Sequence, residues 1–276
     1  MAPEAATFMT RLLSNPSSTH PAIVELRSRL DDFYAKTTNY LAFQATVQRD
    51  AEYALIDELL VDAIAGRTDG RARILELGAG RSGYRQYLDQ HHPNKFQYDA
   101  QDVTASNGEY LRPLCDKLFI GDISAMQGEY DLILSTFVFE HISNPLEFLS
   151  HVKRLLAQGG WHVIFCPRYD WPGYVCPSMR HLSRLRQLLH SAWLSSSRLM
   201  SRLDRRPRFW VNLDPSMFHG PWFRDADAVH LVGRFDVEQW HRLNGFDVRR
   251  LYLRCGGMKE FILRRLLTLN LAARKR

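Results

Sequence analysis

Apolar residues along the chain fall into short runs that close on an acid or a glycine, separated by stretches of helical spacing. Arg73-Ile74-Leu75-Glu76-Leu77 leads directly into Gly78-Ala79-Gly80-Arg81-Ser82-Gly83, a strand followed by a glycine-rich turn and a helix. About 20 residues after the glycines, Phe96, Tyr98 and Ala100 alternate with polar neighbours and end on Asp102. Leu118 to Ile123 predicts a third strand, Tyr130 to Phe137 a fourth, and Trp161 to Cys166 a fifth. The fifth follows a helix whose end is expected at Gly159-Gly160. Phe235 to Val248 reads as a helix, a glycine stop and a strand, and Met258 to Leu263 is expected to supply a last, antiparallel strand. Leu266 to Arg276 then reads as a basic tail whose Leu266, Leu269 and Leu271 are expected to dock on the core.

Strands alternating with helices predict an α/β chain, a Rossmann-like, doubly wound and mostly parallel seven-stranded sheet with a final antiparallel strand. Ligands of such sheets sit at the carboxyl ends of the strands. Gly78 and Gly80 remove the side chains that would keep a ligand from the backbone, while the following helix turns its amide groups toward it. The pattern divides the chain into an N-terminal arm and lid (1–45), a catalytic core (46–167), a mainly helical insertion (168–234), and the end of the core with its tail (235–276). Asp99 and Asp131 are expected to be solvated strand ends.

Together, Ile74 to Gly80, Asp102, Gly121-Asp122-Ile123, Tyr130 to Ser135, Phe139-Glu140-His141-Ile142, and Arg154-Leu155-Leu156 with Gly159-Gly160 resemble a class I S-adenosylmethionine (SAM) methyltransferase, of the type 11-like group acting on small molecules or glycans. Gly83 falls one place later than the commonest pattern of that family. The resemblance implies SAM as cofactor. It places Gly78, Ala79 and Gly80 at the methionine part, Asp102 at the ribose, Asp122 and Ile123 at the adenine edge, the Ser135 carbonyl at the methionine ammonium, and Glu76 behind the loop. The implied reaction is methyl transfer, most simply to a hydroxyl of a saccharide or other small molecule, in envelope-glycan or secondary-metabolite synthesis. His141, His219 and His230 are the candidate general bases.

Two rival classes differ in their demands. A sugar oxidoreductase or epimerase using NAD(P) shares the glycine turn, but no lysine here has a tyrosine four residues before it, so that catalytic pair is absent. A non-catalytic SAM-binding protein would keep the cofactor positions and use the insertion for a membrane or partner. A nucleobase-amino methyltransferase is disfavoured, because Thr136-Phe137-Val138-Phe139 stands where such enzymes carry a Pro-Pro-aromatic motif.

Charge matters through its location. The net charge is +6, yet between Met179 and Arg208 eight arginines face one acid, Asp204. Leu182, Leu185, Leu189, Ala192, Trp193, Leu199, Met200 and Leu203 recur there at helical spacing. Three readings are open: the stripe packs on the core under solvated arginines, it enters the surface of an anionic membrane, or the arginines bind a phosphorylated substrate or nucleic acid. Interleaved stacking aromatics are missing, which speaks against sequence-specific RNA recognition. The loop Phe218 to His230 mixes aromatics, acids and histidines and is a substrate-side candidate, and Tyr34 and Tyr40 are candidates for a lid over the cofactor.

Cys115, Cys166, Cys176 and Cys255 lack C-x-x-C spacing, so no metal site is expected from them. Met1 to His20 has no apolar core of a secretory signal, and no uninterrupted apolar run is long enough to span a bilayer. The expected location is the cytoplasm, with a peripheral contact at the inner face of the membrane if the basic segment binds lipid.

Overall fold

The computed structural model describes residues 12–36, 50–253 and 255–276. The chain enters through β1 (Leu12–Ser14), α1 (Pro21–Lys36), α2 (Asp50–Ala54) and α3 (Asp57–Ala65). Strand β2 (Ala72–Leu77) then leads through the glycine turn into α4 (Tyr84–His91), followed by β3 (Phe96–Asp102), α5 (Gly108–Leu111) and β4 (Lys117–Ile120). Next come β5 (Tyr130–Thr136), α6 (Pro145–Leu155) and β6 (Leu156–Pro167). The insertion holds α7 (Arg184–Asp204) and β7 (Trp210–Asn212). The chain closes with α8 (Arg234–Leu243), β8 (Phe246–Arg250), α9 (Met258–Phe261) and β9 (Thr268–Lys275).

Seven strands form one sheet in the order β4-β3-β2-β5-β6-β9-β8. All neighbours are parallel except β9, which runs antiparallel to both β6 and β8. The order reverses direction at β2, which lies between β3 and β5, so a crevice opens beyond the carboxyl ends of those strands.

Alternation along the strands builds a core on each face of the sheet. Leu75, Leu77, Ile133, Ile164 and Leu271 belong to one buried cluster, and Ile74, Leu132, Leu134, Val163 and Phe165 to the other. Neighbouring residues point to opposite faces, and both faces are covered, so consecutive apolar residues such as Ile74-Leu75, Leu132-Ile133-Leu134 and Val163-Ile164-Phe165 are buried on alternate sides.

Four expectations change. The last strand is β9, not Met258 to Leu263: that segment is helical, and the supposed tail lies inside the sheet between β6 and β8. Thr268 to Lys275 presents Leu269, Leu271 and Ala273 to one core and Ala272 to the other, which holds it there. Helix α6 ends at Leu155 and the chain extends at once, so Gly159 (φ +77°) serves an irregularity inside β6 and not a helix cap. Asp99 is no solvated strand end, since it is buried and accepts a hydrogen bond from Tyr130 at 3.0 Å. Asp131 is buried as well, accepting from the Arg73 amide at 2.8 Å.

The N-terminal arm and the insertion form one structure. Strand β1 pairs antiparallel with β7, Leu12 opposite Asn212. Ile23, Leu26 and Leu30 of α1 share a buried cluster with Val211, Met217, Ala226 and Val229. A joint cap therefore covers the sheet end, built from two segments far apart in sequence.

Candidate active site

A cavity of about 480 Å³ lies at the carboxyl ends of β2, β3 and β5. The glycine turn forms one wall. Gly78 and Gly80 have φ of +58° and +55°, in the left-handed region that side chains resist. A Cβ on Gly78 would also stand 2.6 Å from a methyl of Val138. Gly83 differs, with an ordinary φ of −92° at the start of α4.

The end of β3 holds this turn in place. Asp102 accepts from the Gly80 amide at 2.8 Å, from the Thr104 amide at 2.7 Å and from Asn107 at 3.1 Å. Gln101 accepts from the Gly78 amide at 3.0 Å and donates to the Gly121 carbonyl at 2.7 Å. Asp122 caps the next turn by accepting from the Ser124 amide at 2.8 Å. Burial opposes the charge of Asp122, but those hydrogen bonds and the cations around it hold its pKa below the usual carboxylate range.

Gly78, Ala79, Gly80, Asp102, Asp122 and Ile123 all line the cavity. Two residues expected beside them do not. Glu76 points into the core and accepts a hydrogen bond from Tyr98. Ser135 is sealed within the sheet, and the next three residues, Thr136, Phe137 and Val138, reach the wall instead. Phe137 has φ +56°, so the backbone turns sharply as β5 delivers it there.

The opposite wall belongs to the cap. Arg27, Leu30, Asp31 and Tyr34 of α1 face the cavity, as do Trp222, Arg224, Asp225 and Asp227 of the insertion. Tyr40, the other lid candidate, lies outside the described residues. Tyr34 donates to Asp227 Oδ2 at 2.7 Å, and the Trp222 indole donates to Asp227 Oδ1 at 3.3 Å.

Of the three candidate bases, only His141 lines the cavity. Its Nδ1 lies 3.3 Å from both Asp227 Oδ2 and the Asp227 carbonyl. Both are acceptors, so Nδ1 carries the proton and the lone pair sits on Nε2. Burial works against a charge on this ring, yet Asp227, Glu140 and Asp225 outweigh it and raise the pKa. His230 is fully buried behind Phe139, bonded to its carbonyl at 3.0 Å, and burial drives its pKa down to about 3. His219 stacks on His181 and bonds Asp214 at 2.8 Å on the outer part of the insertion.

Beside His141 lies Glu140, fully buried, with neither carboxyl oxygen hydrogen-bonded. Burial pushes its pKa up to about 8. Among the described residues two sets of side chains bring their ligand atoms within 4.8 Å of one another, Glu140 with His141 and Asp225, and His181 with Asp214 and His219. Neither set was visible from cysteine spacing, since their members are brought together by the fold. Sequence reasoning also missed Asp227 as the partner of His141, 86 residues away.

Residues 47–251 match the model of the methyltransferase domain family. The chain belongs to that family, the class I SAM-dependent methyltransferases. This sets aside the oxidoreductase alternative. Its seven-stranded order with one antiparallel strand is the Rossmann-like fold of the class.

Among curated proteins, the chain is 25% identical over 128 residues to a malonyl-[acyl-carrier protein] O-methyltransferase of Paenibacillus sp.. The match covers 41% of this chain and 46% of that protein, so the chain spans less than half the length of this relative. Similar solved structures include a SAM-dependent methyltransferase from Aquifex aeolicus, at 13% identity and a TM-score of 0.49, covering 86% of this chain and 98% of that one. Magnesium protoporphyrin IX methyltransferase from Synechocystis with bound SAH gives 12% identity and a TM-score of 0.49, covering 91% and 100%.

The cavity fits SAM by the chemistry of its donors and acceptors. Close backbone approach at Gly78 and Gly80, a carboxylate at Asp102, and Asp122 beside apolar Ile123 suit an amino-acid chain, a ribose and a purine in turn. A volume of about 480 Å³ lies in the range of small-molecule sites.

Proposed function

We propose that this enzyme methylates a hydroxyl of a saccharide or similar small polyol, with His141 as general base. The observation that carries the reading is the His141–Asp227 contact at the cavity wall, 3.3 Å from Nδ1 to carboxylate. Bound SAM supplies an electrophilic methyl for in-line displacement. What the chain must add is alignment of the acceptor, exclusion of water and removal of a proton.

Gly78, Gly80, Asp102, Asp122 and Ile123 hold the cofactor in this reading. Asp227 fixes the His141 tautomer, which aims the Nε2 lone pair toward the acceptor, and the imidazolium formed on proton uptake is stabilised by the same carboxylate. Trp222 and Tyr34 offer aromatic faces beside Asp225 and Asp227, a combination that suits the apolar and hydroxyl-bearing faces of a sugar ring. Envelope glycans and secondary metabolites are the acceptor classes that fit this chemistry.

The test is transfer of tritium from methyl-labelled SAM into fractionated cell extracts, followed by His141→Asn. Label in an alkali-stable ether of a saccharide fraction, lost in the variant, is the expected result. Label mainly in RNA or protein refutes the small-molecule assignment, and full activity of His141→Asn refutes the base.

A further inference from the structure

Helix α7 is amphipathic in the reverse of the usual sense. Its inward face carries His190, Leu194, Arg198 and Ser201. Its outward face carries Leu185, Leu188, Leu189, Leu199, Met200 and Leu203, all between 54% and 70% exposed. At 3.6 residues per turn these six fall in one band, which runs along the helix for roughly 27 Å. Of the stripe read from the sequence, Leu185, Leu189, Leu199, Met200 and Leu203 thus face outward, whereas Leu182 and Trp193 pack against the buried cluster of Leu194.

The orientation is locked from beneath. The Arg198 guanidinium, only 6% exposed, donates to the carbonyls of Tyr169 and, at 3.1 Å, Leu231. The Trp210 indole donates to Ser197 at 2.9 Å, and Arg208 donates to Ser201 at 3.2 Å. Turning the leucines inward would withdraw Arg198 from both carbonyls and leave a buried charge without acceptors. The apolar band can be covered only from outside, and large apolar side chains gathered on one exposed face mark an interaction site.

The rim of the band selects the partner. Arg184 and Arg202, about five turns apart, lie along one edge, Arg186 lies on the other, and Arg205 and Arg206 follow the C-terminal end. All five are exposed. The sole acid of the helix, Asp204, is paired with Arg208. In a twofold contact with a second copy, one cationic rim would meet another. A lipid surface has no such conflict, because its acyl boundary accepts the leucines while its phosphates meet the arginines.

We propose that α7 is a membrane-surface helix that docks the protein on anionic phospholipid. The contact is independent of which acceptor the enzyme uses. Arg198, although part of the arginine-rich segment, belongs to the inner scaffold and takes no part in it.

Cosedimentation with phosphatidylcholine vesicles, with and without phosphatidylglycerol, tests this. The wild-type protein should pellet with the phosphatidylglycerol vesicles at low salt and release as salt rises. Replacing Arg184, Arg202, Arg205 and Arg206 with Gln should weaken that binding by roughly tenfold or more. Leu188→Glu with Leu199→Glu should abolish it while leaving the melting temperature and S-adenosylhomocysteine affinity unchanged, which shows that the fold is intact. Wild-type protein that stays in the supernatant, or that binds neutral vesicles equally, overturns the proposal. So does a dimer in sedimentation velocity that the two Glu substitutions dissolve, for the face would then belong to a second copy.

Discussion

The Tyr34 hydroxyl and the His141 ring meet the same atom: Asp227 Oδ2 accepts from Tyr34 at 2.7 Å and lies 3.3 Å from His141 Nδ1. One carboxylate thus joins the cap helix to the group at the cavity wall. Removing the Tyr34 hydroxyl leaves Asp227 with one fewer donor and a stronger hold on the His141 proton. Tyr34→Phe should raise the pKa seen in the kcat/KM profile, whereas Asp227→Asn should lower it.

The same contact sets the pH profile of the wild type. His141 must be neutral to take a proton, and its pKa stands above the ordinary 6.5. Activity should rise with pH through a value above 6.5, measured as kcat/KM across pH 6 to 9. His141→Asn should lower kcat by roughly a hundredfold to ten-thousandfold and flatten that limb.

Gly78→Ala tests the cofactor wall. The left-handed φ alone costs roughly 1–2 kcal/mol for a residue with a side chain, and the new Cβ meets Val138 at 2.6 Å. Calorimetry with S-adenosylhomocysteine should show a large loss of affinity. Asp102→Ala should also weaken binding, in part because the Gly80 amide loses its acceptor. An unchanged affinity in both variants would place the cofactor elsewhere.

Buried ionisable groups give stability a two-sided pH dependence. Glu140 has its folded pKa raised to about 8, so its contribution is fully present below the unfolded value near 4.5 and is lost as pH rises through 8. His241 and His230, depressed to about 4 and about 3 by burial, contribute stability that is present above 6.5 and lost as pH falls through those values. Denaturation midpoints of Glu140→Gln should vary less than wild type between pH 4.5 and 8. The wild-type slope from Glu140 in that window is on the order of 1.4 kcal/mol per pH unit.

If His141 acts as a base, a cation bridging it to Glu140 and Asp225 would block its lone pair. Activity should then survive EDTA and fall when Zn²⁺ is added in excess. Loss of activity on chelation, restored by one divalent metal, would make that set a metal site instead.

The glycine turn was legible because its chemistry is local: Gly78, Gly80 and Asp102 lie within one strand-turn-helix-strand unit whose spacing is fixed by geometry. On the acceptor side, Tyr34 and the loop Phe218 to His230 could be singled out, but not the contact that joins them. Tyr34 and Asp227 are 193 residues apart, and neither carries a pattern that names the other. Helical spacing revealed the stripe on α7 but not which side faces the core, a choice made by Leu194 and by the hydrogen bonds of Ser197, Arg198 and Ser201 beneath the helix. Thr268 to Lys275 escaped because alanines and terminal basic residues resemble a solvated tail, although the strand is gripped on both sides.

The position of β9 bears on how the molecule is made. Among the described residues strand β8 pairs only with β9, and β9 is made after every other strand of the sheet. Until Thr268 to Lys275 have emerged from the ribosome, β6 presents an unpaired edge and β8 has nothing to join. A nascent chain stopped short of Thr268 would expose that edge to other chains, a template for aggregation. Completion of the sheet therefore waits for β9, and the growing polypeptide depends until then on whatever shields β6.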